Sequence, residues 1–294
     1  MRNIALRTIT FFVGVPALVA VILLLPHQNH LALNLIAVAA SALGARELSI
    51  LFGQADTGYR ASFVVIPLLG ATIPLTQVLV VHDVVPQTAV LFVVYVAVAV
   101  ILLLQLVRRE DERFEHALSN TAANITLLLY PGLFVSYVVR MTALPRAAPL
   151  ILTFLCVVFF NDTMAYLSGV FYRRIQERRA ERSGRTWQPR VVLSVSPKKT
   201  LVGFAGGLLM APATLVAARL LFPRAIPGRI WQLVLVGLAV GVATILGDLI
   251  ESALKRSATR KDSGSLIPGR GGILDSIDSV LYAAPVFFYL LGAL

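Results

Sequence analysis

The sequence predicts an all-α polytopic membrane protein with about nine transmembrane helices, and three observations carry that prediction. Apolar residues make up 57% of the 294, and charged residues only 14%. Several apolar runs reach about 20 residues, the length an α-helix needs to cross the hydrocarbon core of a bilayer. Basic residues gather at the ends of these runs, where they act as topology signals. The runs nearly consume the chain and leave no room for a separate soluble domain of ordinary size. A single membrane domain over residues 1–294 is therefore expected, with N-terminal spans in 1–147 and a C-terminal half, 148–294, that holds the chemistry.

Taken in order, the runs place helices at 9–25, 31–52, 61–81, 87–107, 118–139, 148–172, 201–222, 230–254 and 277–294. The first has the position of a signal peptide. Its apolar core is long, however, and residues 26–30 offer no small-residue cleavage site, so it is expected to stay as an anchor. With the N-terminus inside, most of the 26 basic residues fall on the cytoplasmic side, including Arg2, Arg7, Arg60, Arg108, Arg109, Arg113 and the cluster from Arg173 to Lys199. Arg140, Arg146, Arg219, Arg224 and Arg229 fall on the other side, and Arg46 lies inside a span.

The net charge of +11 does not indicate nucleic acid, because the basic residues flank spans and suit anionic lipid headgroups. The stretch 173–190 reads as a solvated, topology-setting loop. Cys156 lies alone in an apolar span, and His27, His30, His82 and His116 have no second ligand at helical spacing, so neither a disulfide framework nor a zinc site is expected. Ser252 to Lys255 and Ser196 to Lys199 both read S-x-x-K, but the companion elements of a serine acyl-transfer enzyme are absent.

Three elements remain. On the eighth run, Asp248, Glu251, Ser252 and Lys255 stand at i, i+3, i+4 and i+7 and share one helix face. Asp275 and Asp278 open the last run and could meet Asp248 across a helix pair. A hard-oxygen cluster of this kind suits magnesium on a nucleotide phosphate, or else structural ion pairs. Between these helices, Lys261-Asp262-Ser263-Gly264 and Pro268-Gly269-Arg270-Gly271-Gly272 give a turn whose glycines permit positive φ and close approach of main-chain N–H groups to an anion. The second element is Ser196-Pro197-Lys198-Lys199-Thr200 before the seventh run, with Ser196 expected as N-cap and Pro197 as first helical residue. Its two lysines and the helix N-terminus then face one phosphate. The third is Asn161-Asp162-Thr163 with Tyr166, inside the sixth run, where an aspartate is either paired or part of a site.

These residues carry a resemblance. The chain resembles the phosphatidate cytidylyltransferases, or CDP-diacylglycerol synthases, in Ser252-Ala-Leu-Lys255-Arg256, Lys261-Asp262, Pro268 to Gly272 and Asp275-Ser276-Ile277-Asp278, in the family's spacing. Ser196 to Thr200 and Asn161 to Tyr166 are similar to two further family elements. The chain departs from the pattern at Arg270, where histidine is usual, at Ser276 for arginine, at Ser265 for histidine and at Val202 for glutamate.

The resemblance implies that CTP and phosphatidate give CDP-diacylglycerol and diphosphate at the cytoplasmic face of the cell (inner) membrane. It also implies Mg2+, with a second metal ion as an option, and a homodimer. Asp248, Lys255, Lys261, Asp262, Asp275 and Asp278 are the implied catalytic residues, with Asp248, Asp275 and Asp278 on metal. Ser196, Lys198, Lys199, Asn161, Asp162, Ser252, Arg256, Arg270, Gly271 and Gly272 are the implied substrate contacts. Rival readings remain: a CTP-dependent lipid kinase, a cytidylyltransferase for another lipid phosphate, and, from a different class, a secondary transporter with Asp162 and Asp248 on an ion path.

Overall fold

A computed structural model describes residues 2–55, 59, 65–105, 116–184, 186 and 192–294, with the side chains of 2–11 and 65 excepted. Arg60, Arg108, Arg109, Arg113, Arg190 and the outer ends of two predicted runs lie outside the described residues. The helices are α1 (Arg2–Leu24), α2 (His27–Gln54), α3 (Val65–Val81), α4 (Thr88–Leu103), α5 (Ala117–Leu127), α6 (Phe134–Thr142), α7 (Ala147–Arg182), α8 (Leu201–Leu221), α9 (Ile230–Ser257) and α10 (Leu274–Gly292). No β-strand occurs among the described residues.

Each predicted run contains a helix. Among the described residues, six helical stretches are long and apolar enough to cross a membrane: His27–Gln54, Ala117–Thr142, Ala147–Arg182, Leu201–Leu221, Ile230–Ser257 and Leu274–Gly292. Ile66–Val81 and Thr88–Leu103 are shorter apolar helices, and the described side chains of α1, Phe12–Leu24, form an apolar stretch as well. Between α5 and α6 the chain widens into a π-helical turn, Leu128–Leu133. Pro131 lies within it, and a proline that cannot donate to the ladder is a common cause of such a widening.

Two boundaries beside the polar motifs differ from the sequence expectation. The helix α7 runs ten residues past Tyr172, so the first part of the expected basic loop is helical. That segment contains Arg, Ile, Gln, Glu and Ala but no glycine or proline, and these are strong helix formers. It stops at Ser183 and Gly184, whose φ of +61° ends the helix. The helix α10 begins at Leu274 rather than 277, which brings Asp275 and Asp278 into its first turns.

The bundle has apolar seams instead of a single soluble core. Phe154 of α7 and Phe287 of α10 are fully buried with ring centroids 5.2 Å apart. Leu48 of α2, Leu127 of α5 and Leu274 and Leu281 of α10 fill a second cluster. These seams bring together the C-terminal ends of α2 and α9, the N-terminal ends of α8 and α10, and the α9–α10 loop. All the polar motifs meet at that end.

Candidate active site

The polar face expected on α9 forms as the spacing requires. Ser252 Oγ donates to Asp248 Oδ1 at 3.3 Å, and Lys255 forms an ion pair with Glu251 one turn earlier. The Lys255 ammonium also reaches Asp275 Oδ1 of α10 at 2.6 Å. Asp275 Oδ2 then accepts Ser263 N–H at 2.8 Å, Ser263 Oγ–H at 2.9 Å and Gly272 N–H at 2.7 Å. Gly271, with φ of +111°, has no room for a side chain, because a Cβ there would collide with this carboxylate. The glycine-rich turn is therefore wrapped round the protein's own anion.

A second carboxylate completes the wrapping. Glu47, buried on α2, accepts Ile273 N–H, Leu274 N–H and Ser263 Oγ–H, each at 2.9 Å. The amides expected to cradle a phosphate at Gly272 and beyond are thus taken by Asp275 and Glu47. Sequence reading missed Glu47, although the argument that singled out Asp162, a carboxylate inside an apolar run, applied to it equally.

A separate cluster stands between α7, α8 and α9. Lys199 Nζ meets Asp248 Oδ2 at 2.5 Å, and both line a cavity of about 250 Å3 with Asp162, Arg173, Lys198 and Thr200. Arg173, expected in a solvated, topology-setting loop, is brought here by the extension of α7. Asp278 accepts Ser279 N–H at 2.6 Å and is close enough to Asp162 and Asp248 to interact electrostatically with both. Gly247 makes this approach possible, since a Cβ there would lie 2.5 Å from Asp278 O.

The lead-in to α8 is built differently from the expectation. Thr200, not Ser196, is the N-cap: its φ and ψ are extended (−121°, 152°) and its hydroxyl accepts Gly203 N–H at 3.0 Å. Ser196 instead opens a β-turn closed by Lys199 N–H to Ser196 O at 3.1 Å. Proline in the second position of a turn satisfies its fixed φ as well as a first helical position would. The turn aims both lysines at the cavity.

The remaining expected residues divide. Asn161 is fully buried beside Asp162. Lys261 and Asp262 are exposed on the loop, and Arg256 is exposed and donates to Arg260 O at 3.2 Å, so none of the three joins the clusters above. Arg270 lines a different, apolar cavity, together with Ser276.

The expected metal set of Asp248, Asp275 and Asp278 is not assembled. No group of three His, Cys, Asp or Glu residues able to hold one metal ion occurs among the described residues. Asp275 is already engaged by Lys255, Ser263 and Gly272. Asp248 and Asp162 are better placed, since both line the open cavity. A magnesium ion that keeps several waters needs only one or two carboxylates besides a substrate phosphate.

The family profile described as the cytidylyltransferase family matches residues 5–294. The chain belongs to the cytidylyltransferase family. It is 35% identical over 164 residues to the phosphatidate cytidylyltransferase of Bacillus subtilis, covering 55% of each chain. It is 40% identical over 146 residues to the phosphatidate cytidylyltransferase of Synechocystis, 47% of this chain and 41% of that one. The uncharacterized protein YnbB of Escherichia coli is 38% identical over 150 residues, 51% of this chain and 45% of that one. The chain thus spans about half the length of the curated relatives it matches.

Proposed function

We propose that this member of the cytidylyltransferase family is a membrane-embedded phosphatidate cytidylyltransferase, working at the cytoplasmic face of the inner membrane. The observation that carries the reading is the Lys199–Asp248 pair on a cavity shared by Lys198, Arg173 and Asp162 at the N-terminus of α8. Cations at a helix N-terminus with carboxylates opposite suit a nucleoside triphosphate and its magnesium.

In the proposed reaction a phosphate oxygen of the lipid attacks the α-phosphorus of CTP. The new P–O bond forms as the α–β anhydride bond breaks, and diphosphate leaves with the electron pair. The nucleophile is already an anion, so no strong general base is needed. The obstacle is bringing anions together, and fixed cations relieve it. Lys199 has three N–H donors and gives one to Asp248, which leaves two for phosphate oxygens. Lys198 and Arg173 add charge at the same wall. Magnesium, held by Asp248 and Asp162, would supply further charge neutralisation. The basic end of α7, Arg173 to Arg182, would be drawn to anionic headgroups at that face.

The test is incubation of the purified protein in detergent with phosphatidate, magnesium and each of the four nucleoside triphosphates. Label from α-labelled CTP is expected in the lipid product, and label from γ-labelled CTP is not. Transfer of the γ-label would make the protein a lipid kinase. No lipid product with any nucleotide would refute both.

A further inference from the structure

A second cavity, of about 310 Å3, is walled by α1, α2, α6, α7 and α10 and by the α9–α10 loop. Its lining is apolar, with Leu18, Ile36, Val138, Ile151, Phe159 and Ile277 among the walls, and Arg270 and Ser276 are its polar members. Both are positions at which the chain departs from the family pattern. Ser276 Oγ is occupied, donating to Gly272 O at 3.2 Å. The Arg270 side chain is exposed and makes no ion pair or hydrogen bond among the described residues. From Ile151 to Phe159 the α7 wall is roughly 12 Å long at 1.5 Å per residue.

A long apolar slot in a membrane-spanning bundle, with one unpaired guanidinium at its rim, is complementary to a chain of methylenes ending in an anionic phosphate. Its position relative to the first cavity matters as well. Asp162 lies one turn beyond Phe159 on α7 and interacts with Ser279, the neighbour of Val280, on α10. The two cavities therefore follow one another along one face of α7. We propose that the second cavity seats an acyl chain of the phosphate-bearing lipid substrate, and that Arg270 receives the lipid phosphate at its mouth. This inference rests on the phosphatidate reading above and assigns the two substrates to successive cavities along α7.

The experiment uses the full chain in lipid nanodiscs with a phosphatidate carrying a photoreactive diazirine in one acyl chain, followed by mass-spectrometric mapping of the labelled residues. Label is expected on Leu18, Ile36 and Phe159, reduced by Arg270→Ala and displaced by Ala40→Phe, which fills the slot. In turnover, Ala40→Phe should raise KM for dioleoyl phosphatidate about tenfold, roughly 1.4 kcal/mol of lost binding, while sparing KM for CTP and that for the short dihexanoyl lipid. Label confined to outward-facing residues such as Leu91 and Leu209, or equal KM changes for both lipids and CTP, overturns the assignment. Label in the slot without any CDP-lipid formed would uphold the binding site and sink only the reaction.

Discussion

The Glu47 carboxylate accepts the main-chain N–H of Leu274 at 2.9 Å, across 227 positions of sequence, and so caps α10 from α2. The N-cap residue of α10, Ile273, offers no side-chain cap of its own. A negative charge at a helix N-terminus is also favoured by the helix dipole. One side chain thus fixes where α10 starts, and with it the positions of Asp275 and Asp278. Removing it would leave the Ile273 and Leu274 amides without their acceptor in a buried place, while the Ser263 hydroxyl would keep Asp275. Each such group costs about 1–3 kcal/mol. Glu47→Ala is expected to lower the thermal midpoint in detergent and to cut turnover at least tenfold, about 1.4 kcal/mol. Glu47→Gln, which keeps one acceptor oxygen, should recover part of both. A Glu47→Ala protein with wild-type melting and turnover would remove the capping role.

How far this site could be read beforehand follows from the range of its interactions. The α9 face was legible because Asp248, Ser252 and Lys255 depend only on helical spacing. The nine apolar runs were legible because burial in a bilayer is written into composition. The partners of the carboxylates were not legible, since which acid meets which base is decided by the seam between helices. Asp275 was expected on a metal and is instead enclosed by Lys255, Ser263 and Gly272. Arg173 was read as loop because charge density was weighed above helix propensity. Ser196 was read as a cap because both a cap and a turn tolerate Ser-Pro, and only the φ and ψ of Thr200 separate the two.

The different surroundings of Asp248 and Asp275 predict different losses on neutralisation. Asp248 is partly exposed and bound mainly to Lys199, an arrangement worth at most about 1 kcal/mol to the fold. Asp248→Asn should therefore melt close to wild type yet lose nearly all turnover. Asp275 satisfies four donors, and an amide has one acceptor oxygen for them. Asp275→Asn should lose activity and stability together, by about 2 kcal/mol or more. Measuring the thermal midpoint beside turnover for both variants separates the roles, and equal melting of the two would contradict the enclosed position of Asp275.

The pinch of the glycine-rich turn can be tested at one atom. Gly271 combines φ of +111° with main-chain bonds to Ile267 in both directions, 2.8 and 3.1 Å long. Gly271→Ala adds a methyl group against Asp275 in a conformation an L-residue resists. A loss of more than about 1 kcal/mol is expected. Chemical unfolding in mixed micelles should show it, and a neutral result would mean that the turn relaxes without needing Asp275.

The two lysines of the α8 lead-in distinguish nucleotide binding from fold support. Neither is deeply enclosed: Lys198 is exposed, and Lys199 retains about a quarter of its side-chain exposure at 23%. Replacing both with alanine should leave the melting temperature near wild type, because surface changes seldom exceed about 0.5 kcal/mol. If they hold phosphates of CTP, the KM for CTP should rise at least about tenfold, some 1.4 kcal/mol, while the KM for phosphatidate stays within experimental error. Lys199→Ala alone should exceed Lys198→Ala in effect, since it also frees the Asp248 carboxylate to repel the incoming phosphates. A double variant with an unchanged CTP requirement would reduce the lysines to a topology signal. One in which only the lipid KM rises would move the lipid phosphate from Arg270 to the α8 N-terminus.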